Sequence, residues 1–221
     1  MTSAHSQQPE PDTFRCSFGQ QSLWLIDQLE PGSPAYNLHA ALRTPFALSP
    51  APLSAACAAL ADRHETLRTW FDWDGAEPVQ RLTDDPTSFL RMADLKGMSP
   101  SDADAELARL SREDAATPFD LTQAPLLRVG LVQMPGGASV LLLTIHHIIA
   151  DAWSMNILIR DLLELYVAGV SGREPQLPDL PVQYIDFAAW QRDLIGEDRN
   201  DELVEGWRAY LAGAGELDLP F

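Results

Sequence analysis

Two adjacent histidines, His146 and His147, with Asp151 four residues after the second, close an apolar run that reads VLLLTIHHIIADAW from Val140 to Trp153. Imidazole and carboxylate groups delivered by a buried strand must be hydrogen-bonded or paired, so this placement is demanding and points to chemistry. Neighbouring strand residues face opposite ways, so the two histidines cannot share one site: one turns to the core and one to the chemistry. Chelation by both is therefore a poor reading. A plainer account keeps His146 as a satisfied core histidine and His147 as a surface one. Asp151 then only caps a helix starting near Ala152.

The elements that must position this stretch lie on either side of it. Upstream, Leu126 to Gln133 and Ser139 to His147 read as apolar strands joined by Met134-Pro135-Gly136-Gly137. Downstream, Met155, Leu158, Leu162, Leu165 and Tyr166 fall at helical spacing until a Gly/Pro-rich loop from Gly169 to Pro181. Helical patterns follow at Gln183 to Ile195, with Tyr184, Phe187 and Trp190, and at Glu202 to Leu211, with Val204 and Trp207.

Before the central stretch, Ser17 to Leu29 predicts a short amphipathic helix stopped by Pro31-Gly32. A strand is expected from Tyr36 to Phe46, then an Ala-rich helix from Ser49 to His64 with Leu53, Cys57 and Leu60 on one face. Leu67 to Trp73 and Pro78 to Leu82 predict a hairpin around the two-residue turn Asp74-Gly75. The charge between, Arg63 to Thr69, reads as a solvated corner. A strand at Phe89 to Asp94 and a helix from Pro100 to Ala115, capped by Ser99 with Leu107 and Leu110 inward, complete the set. Hairpins mixed with helices predict an α/β fold: a two-layer sandwich with a mixed, largely antiparallel sheet and helices packed on it.

The 221 residues are 46% hydrophobic and 21% charged, enough for a sizeable core. Fifteen basic against 32 acidic residues give a net charge of −17, spread along the chain, which argues against nucleic acid and anionic membrane as partners. Cys16 and Cys57 read as buried thiols of a reducing cytoplasm, without metal-ligand spacing around them. Residues 1–13 read as a disordered leader and 14–221 as the folded unit.

Four blocks in order resemble the condensation domains of nonribosomal peptide synthetases: SFGQQSLW from Ser17, RHETLRTWF from Arg63, HHIIADAW from His146 and YIDFAAWQ from Tyr184. That resemblance implies a chloramphenicol acetyltransferase-like lobe, the amino-terminal one of two, with the carboxyl-terminal lobe absent and an isolated lobe that is inactive. It implies an acyltransferase that forms an amide between a donor acyl thioester and an acceptor aminoacyl amine. Both substrates would ride on the phosphopantetheine arms of donor and acceptor peptidyl carrier proteins, with an adenylation domain downstream and no cofactor or metal bound by the domain itself. His147 becomes the active-site histidine, His146 its inward neighbour, and Asp151 a carboxylate paired with an arginine. Arg63 and Arg68 are the candidates within the chain; an arginine from the absent lobe is the other.

Two positions depart from the family pattern. Ser22 stands where arginine is usual, and Ala152 where glycine follows the aspartate. If that backbone needs a positive φ, alanine costs about 1 to 2 kcal/mol; in a helical first turn it is acceptable. Its methyl also bears on how closely a donor thioester approaches. The alternatives are a coenzyme A-dependent acyltransferase of the HxxxD type, a non-catalytic carrier-binding or recruitment domain, and an epimerisation domain. Against the last, Trp153-Ser154-Met155 continues as a condensation domain does.

Overall fold

The computed structural model describes residues 13–84 and 90–215. Pleat and register explain why the apolar run around Leu141 to Ile145 can be buried throughout. Strand β7 (Ser139–His146) pairs antiparallel with both β2 (Asn37–Thr44) and β6 (Leu127–Gln133). Being central, it offers apolar side chains to both faces, which is why its sequence does not alternate. Leu141, Leu143 and Ile145 join the main core, while Val140 and Leu142 join a second cluster on the opposite face.

The main core is closed by α2 (Pro50–Arg63) and α4 (Ala152–Ser171), which pack together and supply Leu53, Leu60, Leu158 and Leu162. The second cluster is closed by α3 (Pro100–Ala116), through Ala103, Leu107 and Leu110. Strand β5 (Leu90–Asp94) runs parallel to β6 at the far edge, so α3 is the crossover that a parallel pair requires. The order β2-β7-β6-β5 is thus the mixed, largely antiparallel sheet the sequence predicts, with α3 adding cover on its second face.

A smaller sheet holds β1 (Thr13–Arg15), β4 (Pro78–Leu82) and β3 (Thr69–Trp73) in the order β1-β4-β3. Thr13, placed in the leader by sequence, pairs here with Arg81; residues 1–12 lie outside the described residues, as does Phe89. Between β3 and β4 the expected two-residue turn is a four-residue one, because Trp73 pairs with Pro78. The Asp74 carboxylate accepts the N–H groups of Ala76 (2.8 Å) and Glu77 (2.9 Å), and Gly75 takes φ +103°. A side chain that bonds two residues onward makes its own turn in place of the tight hairpin.

Helix α1 (Phe18–Leu29) begins with a capping box: the Ser17 hydroxyl accepts the Gln20 N–H, and the Gln20 side chain accepts the Ser17 N–H. Both cysteines are buried and free, and burial pushes their thiols up to about 12. Helix α5 (Tyr184–Leu194) is fastened to the start of the chain, where the Gln191 side chain accepts the Phe18 N–H and Arg192 donates to the Cys16 carbonyl. Helix α6 (Glu197–Tyr210) leaves Leu203, Val204, Trp207 and Tyr210 exposed, so its apolar stripe is unmatched among the described residues.

Candidate active site

Strand β7 ends at His146, and the last residue of a strand is where parity can be broken by a turn. His146 keeps the strand direction. It is 3% exposed, and its Nδ1 accepts the Ile148 N–H at 3.1 Å, which puts the ring proton on Nε2. Burial, with the adjacent His147 as a lesser influence, pushes the imidazole down to about 4, so it is neutral at physiological pH. His147 leaves the strand direction. Its N–H donates to the Tyr36 carbonyl at 2.8 Å and its side chain is exposed. One histidine therefore builds the turn and the other is presented by it.

Asp151 ends the turn and starts α4. Its Oδ1 accepts both the N–H and the hydroxyl of Ser154 at 2.7 Å, which holds the carboxyl below its usual range. These bonds satisfy donors that every helix start leaves open. Ala152 is the first residue of α4, and no residue other than glycine has positive φ among the described residues. Alanine is unstrained there. Trp153, next along, is 76% exposed.

Arg63 and Arg68 lie elsewhere. Arg63 donates from Nε to Asp161 Oδ2 at 3.0 Å, and His64 Nε2 donates to the same oxygen at 3.0 Å. Arg160 reaches the other oxygen at 2.8 Å. Arg68 donates to the carbonyls of Ala61 and Thr83. The Asp161 side chain is 0% exposed; burial alone would raise its carboxyl, but bonds from Arg160, Arg63 and His64 hold it below the usual range. His64 is pushed down by burial against the pull of Asp161. Between this junction and the histidine turn lies a cavity of about 220 Å³, lined by His64, Ile149, Ser154, Ile157, Leu158 and Tyr184 among others.

A family model described as "Condensation domain" matches residues 11–221. The chain belongs to the condensation-domain family. It is 44% identical over 206 residues to phosphinothricin tripeptide synthetase PhsC of Streptomyces viridochromogenes, covering 93% of this chain and 19% of that protein. Malpinin synthetase of Mortierella alpina is 37% identical over 205 residues, which are 92% of this chain and 3% of that one. Among solved structures, the first condensation domain of the calcium-dependent antibiotic synthetase matches with a TM-score of 0.81 at 25% identity. That match covers 93% of this chain and 49% of the other. The starter condensation domain of rhizomide synthetase shares the fold, with a TM-score of 0.82 at 23% identity and the same coverage of each chain. The chain thus spans about half the length of the solved condensation domains and a small part of the curated relatives.

Against the condensation-domain pattern, the structure gathers His146, His147, Asp151, Ala152 and Trp153 in one turn and leaves out the two arginines. Neither Arg63 nor Arg68 pairs with Asp151, whose Oδ1 accepts from Ser154; Arg63 goes to the buried Asp161, where a carboxylate withdrawn from water must be met by cations. The charged block from Arg63 to Thr69 is not a solvated corner either, since Leu67 and Thr69 are buried and the rest are half-buried. Ser22, in place of the usual arginine, donates to the Phe18 carbonyl within its own helix. Sequence reasoning missed Asp161, although it sits between Leu158 and Leu162 on the apolar stripe of α4, and a carboxylate on a buried stripe demands partners. It also missed Tyr36 and Phe119, whose rings flank His146 at 6.4 and 6.2 Å; no local spacing announces contacts so remote in the chain.

Proposed function

We propose that this chain, as part of a complete condensation domain, forms an amide bond between a donor acyl thioester and an acceptor aminoacyl amine. Each substrate is tethered to the phosphopantetheine arm of a carrier protein. The observation that carries the reading is His147, the single exposed residue between Ser139 and Ala150, held by its backbone while its imidazole makes no hydrogen bond to another described residue. A side chain so held, with unengaged ring nitrogens, is available to a substrate.

In the reaction the amine nitrogen bonds to the thioester carbon, the carbon–sulfur bond breaks, and the departing thiol takes up the proton the amine gives up. An α-amino group has a pKa of about 8, so a useful fraction is already neutral near pH 7 and a strong base is unnecessary. Orienting two tethered reactants is worth about 7 to 11 kcal/mol, against about 10²- to 10⁴-fold for general base catalysis. Positioning therefore dominates. His147 orients the amine and hydrogen-bonds to the charged tetrahedral intermediate, while Asp151, through its cap, braces the turn. The partners on this reading are donor and acceptor carrier proteins, a carboxyl-terminal lobe and a downstream adenylation domain, in the cytoplasm. In support of that setting, both cysteines are free thiols, and no described helix is long and apolar enough to cross a membrane.

His147→Ala in a complete domain should lower amide formation about 10²-fold or more, measured as product from loaded donor and acceptor carriers. Unchanged turnover would refute the assignment. The same assay on this chain alone should yield no product, because the solved domains are about twice as long and the apolar stripe of α6 stands unmatched among the described residues.

A further inference from the structure

Strand β6 places Arg128 opposite Thr144 of β7, on the face of the sheet that also carries His146 two residues further on. The Arg128 side chain is 9% exposed, and its bonds run to the end of α3 and the segment after it. Its Nε donates to Asp114 Oδ1 at 3.1 Å. Its two terminal nitrogens donate to the backbone carbonyls of Asp114 (2.9 Å), Thr117 (2.7 Å) and Pro118 (3.3 Å). From the other side of β7, the Asn37 amide donates to the carbonyls of Ala115 (2.9 Å) and Thr117 (2.8 Å), and Asn37 is the register partner of His146. The segment is therefore tied to both strands that flank β7. Phe119 follows it directly. The Arg128 guanidinium lies 3.8 Å from the centre of the Phe119 ring, and that ring meets His146 at 6.2 Å with its plane 81° away.

We infer that Phe119, backed by Arg128, is a positioning residue that fixes the His146 ring and through it the turn presenting His147. A cation on the face of a ring holds the ring in place, and the roughly perpendicular pairing favours a single imidazole orientation. That orientation points Nδ1 at the Ile148 N–H, a side-chain bond that closes the turn from inside. Without the ring, His146 has room to turn, the Ile148 bond loosens and the His147 backbone is left with its bond to Tyr36. None of this is written in the four sequence blocks, since Phe119 and Arg128 fall between them.

The kinetic arm of the test rests on the amide-forming reaction proposed above; the spectroscopic arm does not. In a complete domain, Phe119→Leu should lower kcat roughly tenfold to a hundredfold while KM for the loaded carriers stays within about twofold, and Phe119→Tyr should restore kcat. In this chain labelled with ¹⁵N-histidine, the His146 nitrogens should report the single Nε2–H tautomer in the wild type and in Phe119→Tyr, and a mixture in Phe119→Leu. If the leucine variant fails to fold, Phe119→Met carries the same two readouts. Wild-type kcat in the leucine variant, a loss of kcat that the tyrosine variant shares, or unchanged His146 nitrogens would each overturn the inference. If His147→Ala keeps full activity, the reaction assignment fails by itself, and the nitrogen shifts still decide the role of Phe119.

Discussion

At the amino end of α4, Asp151 is exposed and bonded to its own helix through Ser154, whereas ten residues on, Asp161 is fully buried and collects Arg63, Arg160 and His64. The two carboxylates have the same chemistry and opposite needs. An exposed carboxylate at a helix start gains from open N–H groups and the helix dipole, and an added ion pair in water is worth little. A carboxylate withdrawn from water has no such freedom and must be met by cations and donors. Arg63 of the second sequence block therefore goes to the buried acid, while Asp151 is bonded within its own helix.

Substituting each acid in turn sharpens this contrast most. Asp161→Ala leaves two arginines and a histidine without their shared partner and should lower unfolding free energy by about 3 to 5 kcal/mol. Asp151→Ala removes one cap and should lower it by about 1 kcal/mol. Urea titrations of the two variants measure both values, and similar losses would mean that Asp151 has a buried partner after all.

Acid titration separates the same two regions by pH. The His146 imidazole is pushed down to about 4 in the folded chain, below the ordinary histidine value of about 6.5. Between those values the unfolded chain binds the extra proton, so the neutral His146 stabilises the fold fully above about pH 6.5 and progressively less down to about pH 4. The loss is on the order of 3 kcal/mol across that window. Asp161, held below the usual carboxylate range, loses its contribution only at lower pH, as its carboxylate takes up a proton. Denaturant midpoints taken between neutral pH and about pH 4 should thus fall in the wild type and fall less steeply in His146→Asn. The slope that remains belongs to His64 and His39, whose imidazoles burial also pushes down, and a slope unchanged from the wild type would remove His146 from the acid-sensitive groups.

How much of this was legible in the sequence follows the same division between local and remote. Strand parity separates His146 from His147, and the structure buries the first and exposes the second. The cap at Ser99 and the cap reading of Asp151 are local patterns that the structure contains. The sheet order, the bond from Arg63 to Asp161 and the contact of Phe119 with His146 join residues tens of positions apart. Periodicity within one element carries no information about which distant element covers it. Asp161 marks the boundary: its place on an apolar stripe shows that it is buried, but only the fold shows which cations answer it.

The smallest effect concerns Ala152, where the family pattern has glycine. Because Ala152 opens α4 with ordinary helical backbone, the requirement for glycine cannot be conformational here. Ala152→Gly adds backbone freedom to the unfolded chain and should lower stability by roughly 0.5 to 1 kcal/mol, comparable to the loss from Asp151→Ala and far below that from Asp161→Ala. Turnover in a complete domain should stay within about twofold, since the cap from Asp151 to Ser154 and the bond from His147 to Tyr36 are untouched. A clear rise in turnover would show instead that the alanine methyl stands where a donor thioester must approach. The glycine of the family would then serve the substrate and not the helix.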